Sequence, residues 1–193
     1  MPIGILGQKK YMTRVFLESG EMVPVTVISC PKNVIDQIKT TDKDGYEAVK
    51  LAAFPRKHQT KTKTHYFSKE IRAQHTDGVE KGSDVSLADF VDVKEVKVIG
   101  TSKGKGFQGV IKRHGFSGGP GGHGSKFHRM PGSMGTRKPS RTVKGKKMPG
   151  RMGGDKITLQ TVQVVKVDVQ QELIALKGAI PGAKNSFVTL IAK

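Results

Sequence analysis

Between residues 100 and 154 the chain carries 13 Lys and Arg and not one Asp or Glu, and the same 55 residues hold 16 of its 24 glycines. The extreme part is residues 116–154, where Phe116, Phe127, Met130, Met134, Val143, Met148 and Met152 are the only apolar side chains. Seven scattered side chains cannot bury enough surface to offset ordering at ~1–2 kcal/mol per residue. A loop of this length inside a compact domain is either functional or disordered. The segment is expected to be mobile alone and ordered by a polyanion.

The remaining residues carry 21 basic against 16 acidic side chains, so most of the formal net charge of +18 sits in the insertion. Such an excess favours a polyanionic partner and says nothing of fold. At 193 residues the chain suits one domain with an appendage. Apolar residues are 35%, aromatics 6%, and Trp is absent, which leaves little bulk for a large core. A lone cysteine, Cys30, can make neither an internal disulfide nor a cysteine-based zinc site, so a reducing cytosol is the default expectation. Met1–Gly7 runs into Gln8-Lys9-Lys10 too soon for a signal-peptide core, and no run of ~18 apolar residues occurs. Secreted and membrane-spanning readings are not expected.

The flanks read as strands. Residues 12–17 and 22–28 are rich in β-branched and apolar residues and are joined by Glu18-Ser19-Gly20-Glu21, a hairpin-like connection. Pro24 suggests an edge or a strand start. Residues 34–38 and 46–51 follow, separated by turn chemistry at Thr41-Asp42-Lys43-Asp44-Gly45. Residues 91–99 form another candidate, with a register shift between Val93 and Val96 that suits a bulge. After the basic segment, residues 157–169 place Ile157, Leu159, Thr161, Val165, Val167 and Val169 on one face, and residues 173–177 and 187–192 close the chain. The fold class expected is mainly β, a small antiparallel barrel. Residues 1–99 and 155–193 make the barrel, with a subsidiary basic segment at 56–65; residues 100–154 are inserted in it.

One helix is expected at the base of the insertion, where Phe107, Val110, Ile111 and His114 share a face and Gly115 suits the C-terminal cap. Gly104-Lys105-Gly106-Phe107-Gln108-Gly109 matches G-x-G-x-x-G formally. A dinucleotide fold also needs an acid ~20 residues on, and none occurs before Asp155. The glycines are better suited to close backbone approach to phosphates. Residues 119–126 end Gly-Ser-Lys rather than Gly-Lys-Ser, so they are no Walker loop. His114, His123 and His128 fit no zinc spacing and lack a nearby Cys or carboxylate. No catalytic arrangement is inferable, and neither cofactor nor metal is expected. The cluster Arg56-Lys57-His58-Gln59-Thr60-Lys61-Thr62-Lys63-Thr64-His65 reads either as a solvated face or as a supplementary phosphate patch.

The insertion suits structured RNA, because Lys and Arg neutralise phosphates while Gly threads narrow crevices. Doubled back, its 39-residue extreme reaches ~65 Å at ~3.3 Å per residue. That is far more than a duplex groove needs.

Gly100–Gly106 (GTSKGKG) with Phe107, Lys112 and Arg113 resembles the signature of the universal large-subunit ribosomal protein number three family in its bacterial form. So do His128-Arg129-Met130-Pro131-Gly132-Ser133-Met134-Gly135 and residues 144–153, KGKKMPGRMG. Residues 4–16 and Lys177-Gly178-Ala179-Ile180-Pro181-Gly182 match in the same order. The resemblance implies a translation-protein-type barrel and a long central loop. It further implies a non-enzymatic, cytoplasmic protein of the ribosome that binds large-subunit RNA near its 3′ domain, acts early in assembly and touches neighbouring ribosomal proteins. The loop tip, expected toward the peptidyl-transferase centre, falls at Gly132, Ser133, Met134, Gly135, Thr136, Arg137, Lys138 and Pro139, extending to Arg141. Many bacterial relatives carry a methylated glutamine in the tip; here no Gln lies between Gln108 and Gln160. The residues expected on RNA are Lys9, Lys10, Arg14, Lys103, Lys105, Lys112, Arg113, His114, His123, Lys126, His128, Arg129, Arg137, Lys138, Arg141, Lys144, Lys146, Lys147 and Arg151. The competing readings are a nucleotide enzyme and a general basic protein that compacts nucleic acid or acts on membranes. The strand patterning, and the lack of a long amphipathic helix, weigh against the last.

Overall fold

Val96 and Val98, Ile174 and Leu176, and Val188 and Leu190 occupy alternate positions of three strands, and all six are buried in one core. This period of two turns one face of each strand inward, and six such strands close on themselves. The computed structural model that shows this describes residues 4–60, 63–72, 80–138 and 140–193. The first elements are β1 (Ile5–Phe16), β2 (Met22–Ser29), β3 (Asn33–Lys39), α1 (Thr41–Asp44), β4 (Ala48–Thr60), β5 (Lys63–Arg72) and β6 (Asp84–Val85). A 3-10 turn at Leu87–Phe90 precedes β7 (Glu95–Thr101), β8 (Phe107–Gln108) and α2 (Val110–His114). The chain ends with β9 (Gly150–Arg151), β10 (Lys156–Asp168), β11 (Leu173–Lys177) and β12 (Phe187–Ala192). It divides into two compact units, Met1–Ser102 with Lys156–Lys193, and Lys103–Asp155.

In the first unit the antiparallel barrel runs β1-β12-β7-β10-β11-β2, and β2 returns to β1. Closure leaves no unpaired edge to recruit another chain. Ile5, Ile28, Phe90 and Val162 complete its core. Each fully buried aliphatic side chain contributes about 1.5–3 kcal/mol. A second sheet, β5-β4-β3-β6, packs its Ile35, Val49, Leu51 and Ile71 on the outward Leu6 and Ile191 of the barrel. Phe187 of β12 stacks on Phe67 of β5 with ring centroids 4.8 Å apart.

Several strands differ from the reading of the sequence. β7 begins at Glu95, because the residues before it form the 3-10 turn, and Val91 is its exposed cap. The bulge lies in the partner strand: β10 shifts register between Leu159 and Val162, and again between Val164 and Lys166. Each shift turns the inward set by one residue. Leu159, Val162, Val164 and Val167 therefore meet the core, while Ile157 and Val169 are exposed. Pro24 lies inside β2, but β2 outruns β11, whose pairing ends at Val25↔Lys177. The turn at residues 41–45 is one helical turn, closed by Gly45 at φ 77°. β1 reaches back to Ile5, and β4 continues past Leu51 through the polar residues 56–60, which the apolar pattern did not mark as strand.

The expected helix is shorter. α2 starts at Val110 after Gly109, while Phe107 belongs to β8 and is 76% exposed. Gly115 does cap it, at φ 72°. No described helix is long and apolar enough to cross a membrane.

Candidate nucleic-acid interface

β7 and β10 pair as far as Thr101↔Lys156, so the chain leaves and re-enters the barrel at opposite residues of one ladder. Between them lies the Lys103–Asp155 unit, with all 13 Lys and Arg of the acid-free segment and one carboxylate, Asp155. Of its described side chains only Val110 is fully buried. Backbone pairing and turns hold the unit in place of a core.

At its base β8 pairs with β9, Phe107 opposite Arg151. Two more backbone bonds extend this ladder: Lys105 N–H donates to Met152 O and Met152 N–H to Gly106 O, both at 2.9 Å. Gly153 then passes so close to Lys103 that a Cβ there would stand 2.1 Å from its carbonyl oxygen, and its φ is +74°. No residue with a side chain fits that crossing.

Two expected RNA ligands are engaged within the unit. Arg113 Nη1 donates to Met148 O at 2.6 Å, and His114 Nε2 lies 3.1 Å from the same carbonyl. The end of α2 thereby grips the returning chain. Arg113 is half-buried; the other twelve cations are exposed. Farther out, Gly119 N–H donates to His128 O at 2.7 Å and the Phe127 ring lies against Gly119. His123 and His128 are exposed and sit at positive φ, 54° and 41°.

In the stretch expected to form the tip, Gly135 N–H donates to Ser133 Oγ at 3.3 Å, Thr136 Oγ1 donates to Lys138 O, and Ser140 N–H donates to Arg137 O at 2.9 Å. Short polar bonds within the chain thus fold back the residues flanking Arg137 and Lys138, whose side chains are exposed. Pro139 lies outside the described residues, as do Lys61, Thr62 and the Lys63 side chain of the second basic cluster.

The remaining expected ligands belong to the other unit. Lys9 Nζ donates to Ile180 O at 2.7 Å and Gly182 O at 3.1 Å, tying β1 to the turn before β12. Lys10 Nζ donates to Gln8 Oε1 at 2.7 Å, and Arg14 is exposed with Nη1 3.8 Å from Met22 Sδ. Sequence reading missed the structural use of Lys9 and Arg113, since both hold carbonyls far away in the chain. It also missed Asn33, which is buried and fixes β1.

The arrangement supports binding to polyanions. Among the described residues no three His, Cys, Asp or Glu gather as a metal site. Burial, reinforced by Glu172, pushes the Cys30 thiol far above its ordinary value, which removes the thiolate a nucleophile requires.

A family model described as Ribosomal protein L3 matches residues 72–172. The chain is 50% identical to large ribosomal subunit protein uL3 of Bacillus cytotoxicus, over 98% of this chain and 96% of that one. It is 48% identical to the proteins of the same name from Shouchella clausii and Bacillus thuringiensis, over 98% of this chain and 97% and 96% of theirs.

Proposed function

Because the chain belongs to the bacterial-type ribosomal protein L3 family, we propose that it binds large-subunit ribosomal RNA directly, through its Lys103–Asp155 unit. At the coarser level it is a structural constituent of the large ribosomal subunit, works in the cytoplasmic ribosome and is not an enzyme. The observation that carries the finer reading is charge without compensation. Twelve exposed Lys and Arg and a half-buried thirteenth share a unit with a single carboxylate and, among the described residues, one fully buried side chain. Such a surface is repelled by itself and stabilised by phosphates, whose release of counterions drives binding.

In this reading Lys103, Lys105, Lys112 and Arg151 hold RNA at the base of the unit. Lys126, Arg129, Lys144, Lys146 and Lys147 hold it along the two returning stretches. The tip around Arg137, Lys138 and Arg141 reaches deepest, toward the peptidyl-transferase centre, without taking part in the chemistry there. Binding near the 3′ domain of the RNA and early entry into assembly follow from the family resemblance. Nucleotide-resolved crosslinking in the assembled large subunit tests this. The expected map places contacts of residues 103–151 on RNA converging toward the catalytic centre. A map with those residues crosslinked only to proteins would remove the reading.

A further inference from the structure

Beyond Ala52, β4 loses its neighbour β3, whose pairing ends at Val34↔Ala52. β4 and β5 nevertheless continue together through Pro55↔His65 to Thr60↔Lys63 as a two-stranded ribbon. An isolated two-stranded ribbon is marginal in water unless something packs on it. Here the described residues beyond Phe54 include none that is fully buried, and residues 48–69 contain no Asp or Glu. The ribbon carries a built feature. Arg56 Nε donates to His65 O at 3.1 Å, which holds its guanidinium 5.0 Å from the centroid of the Tyr66 ring. Tyr66 is 57% exposed, and Lys57, next along the chain from Arg56, is exposed as well.

We propose that this ribbon is a second RNA-binding site, in which Tyr66 and Arg56 form a stacking platform for one unpaired base while Arg56 and Lys57 neutralise its flanking phosphates. An aromatic face with a planar cation beside it accepts any base, and the Lys57 ammonium on the same ribbon adds charge without base selectivity. The inference rests on RNA being the partner, as proposed above, but assigns contacts to a different unit of the chain.

The full-length protein is titrated with large-subunit RNA over a range of salt. Three variants are compared: Tyr66→Ala, the double variant Arg56→Ala/Lys57→Ala, and the triple variant Lys144→Ala/Lys146→Ala/Lys147→Ala in the basic unit. Tyr66→Ala is expected to weaken binding about 5- to 150-fold, with Tyr66→Phe restoring it. The double variant is expected to lower the slope of log affinity against log salt by about 1.4–1.8. Unchanged thermal unfolding of Tyr66→Phe and of the double variant guards against misfolding. If both ribbon variants bind like the unaltered protein while the triple variant weakens, the second site is refuted and the first stands. If only the ribbon variants weaken, the ribbon site stands and the role of the basic unit falls. Displacement from the ribbon by polyglutamate at the concentration at which RNA competes would point to an acidic protein instead and overturn the proposal.

Discussion

Asn33 holds the backbone of Leu6 in both directions: its Oδ1 accepts Leu6 N–H at 3.1 Å and its Nδ2 donates to Leu6 O at 3.2 Å. The same Nδ2 donates to Pro31 O at 2.8 Å. A carboxamide thus stands in for a strand, satisfying β1 at the point where Ile5 faces the barrel core and Leu6 faces the second sheet. Asn33 is fully buried, so water cannot replace it. Asn33→Ala leaves one donor and two acceptors without partners and is expected to cost about 2–4 kcal/mol. Asn33→Asp keeps the acceptor but sets oxygen against two carbonyls, and is expected to cost at least as much. Urea denaturation measures both; a loss below about 1 kcal/mol in each would show that the clasp is dispensable.

Gly153 and Gly104 separate crowding from mere glycine content. Ala at residue 153 would carry a φ that costs about 1–3 kcal/mol, with its Cβ 2.1 Å from Lys103 O. At Gly104 nothing lies within 4 Å of an added Cβ, and no positive φ is required. Gly153→Ala is expected to open the β8–β9 base to proteolysis and to weaken RNA binding. Gly104→Ala is expected to change neither. Equal cleavage rates for the two variants would contradict the crossing geometry.

Much of this molecule is legible in its sequence, and the parts that are not have a common cause. Alternating apolar residues mark β2, β11 and β12, because an inward face must be apolar at every second position. The cations of residues 103–151 stand out because no acid accompanies them. The inward face of β10 is misread because its two bulges answer to the partner strands β7 and β11, and no local pattern records them. Lys9, Arg113 and Asn33 look like surface or generic polar residues because their carbonyl partners, Ile180, Met148 and Leu6, are 27 or more residues away. The polar ribbon beyond Phe54 carries no strand pattern in its sequence, because hydrogen bonding without a buried apolar face keeps it extended.

Arg113 and Lys112 are neighbours with the same charge and different work. Lys112 is exposed, so Lys112→Ala is expected to lower the salt slope of RNA binding by about 0.7–0.9 and leave the free protein unaltered. Arg113→Ala removes the donor to Met148 O and with it half of the grip on the returning chain. Its loss of affinity is expected to exceed that of Lys112→Ala at every salt concentration, with faster hydrogen exchange across residues 146–152. Matching exchange rates in the two variants would show that Arg113 acts as a charge alone.

On the second sheet, Lys39 Nζ donates to Tyr46 Oη at 2.7 Å and pairs with Glu70 at 3.2 Å, while Tyr46 Oη donates to Glu70 Oε2 at 3.0 Å. These bonds from Lys39 and Tyr46 lower the Glu70 pKa below its ordinary 4.5, with Lys50 adding a weaker attraction and desolvation opposing. Asp44 lies 4.0 Å from Lys39, and Arg72 stands over the Tyr46 ring. A carboxylate with a lowered folded value contributes stability above the unfolded value and loses it as pH falls through the folded one. The stability difference between the unaltered protein and Glu70→Gln is therefore expected at pH 7, fading below about pH 4.5 and absent below the lowered value. Because the group is exposed, the difference is small and shrinks with salt. A difference that grows toward low pH would invert the assignment.

Deleting residues 118–151 tests whether the barrel depends on the basic insertion. The deletion spares Val110, the one fully buried described side chain of its unit, and every core strand of the barrel. It removes nine Lys and Arg and no carboxylate, so it also relieves self-repulsion. The shortened chain is expected to keep its β circular dichroism and a single cooperative urea transition. Its RNA binding is expected to lose several units of salt slope, up to about 6–8 if all nine cations meet phosphates at 0.7–0.9 each. A broad, non-cooperative transition would mean that the barrel draws stability from contacts within the insertion. An unchanged slope in a folded protein would mean that the nine cations face solvent in the complex, and RNA recognition would then have to rest on the barrel, the ribbon and the base of the insertion.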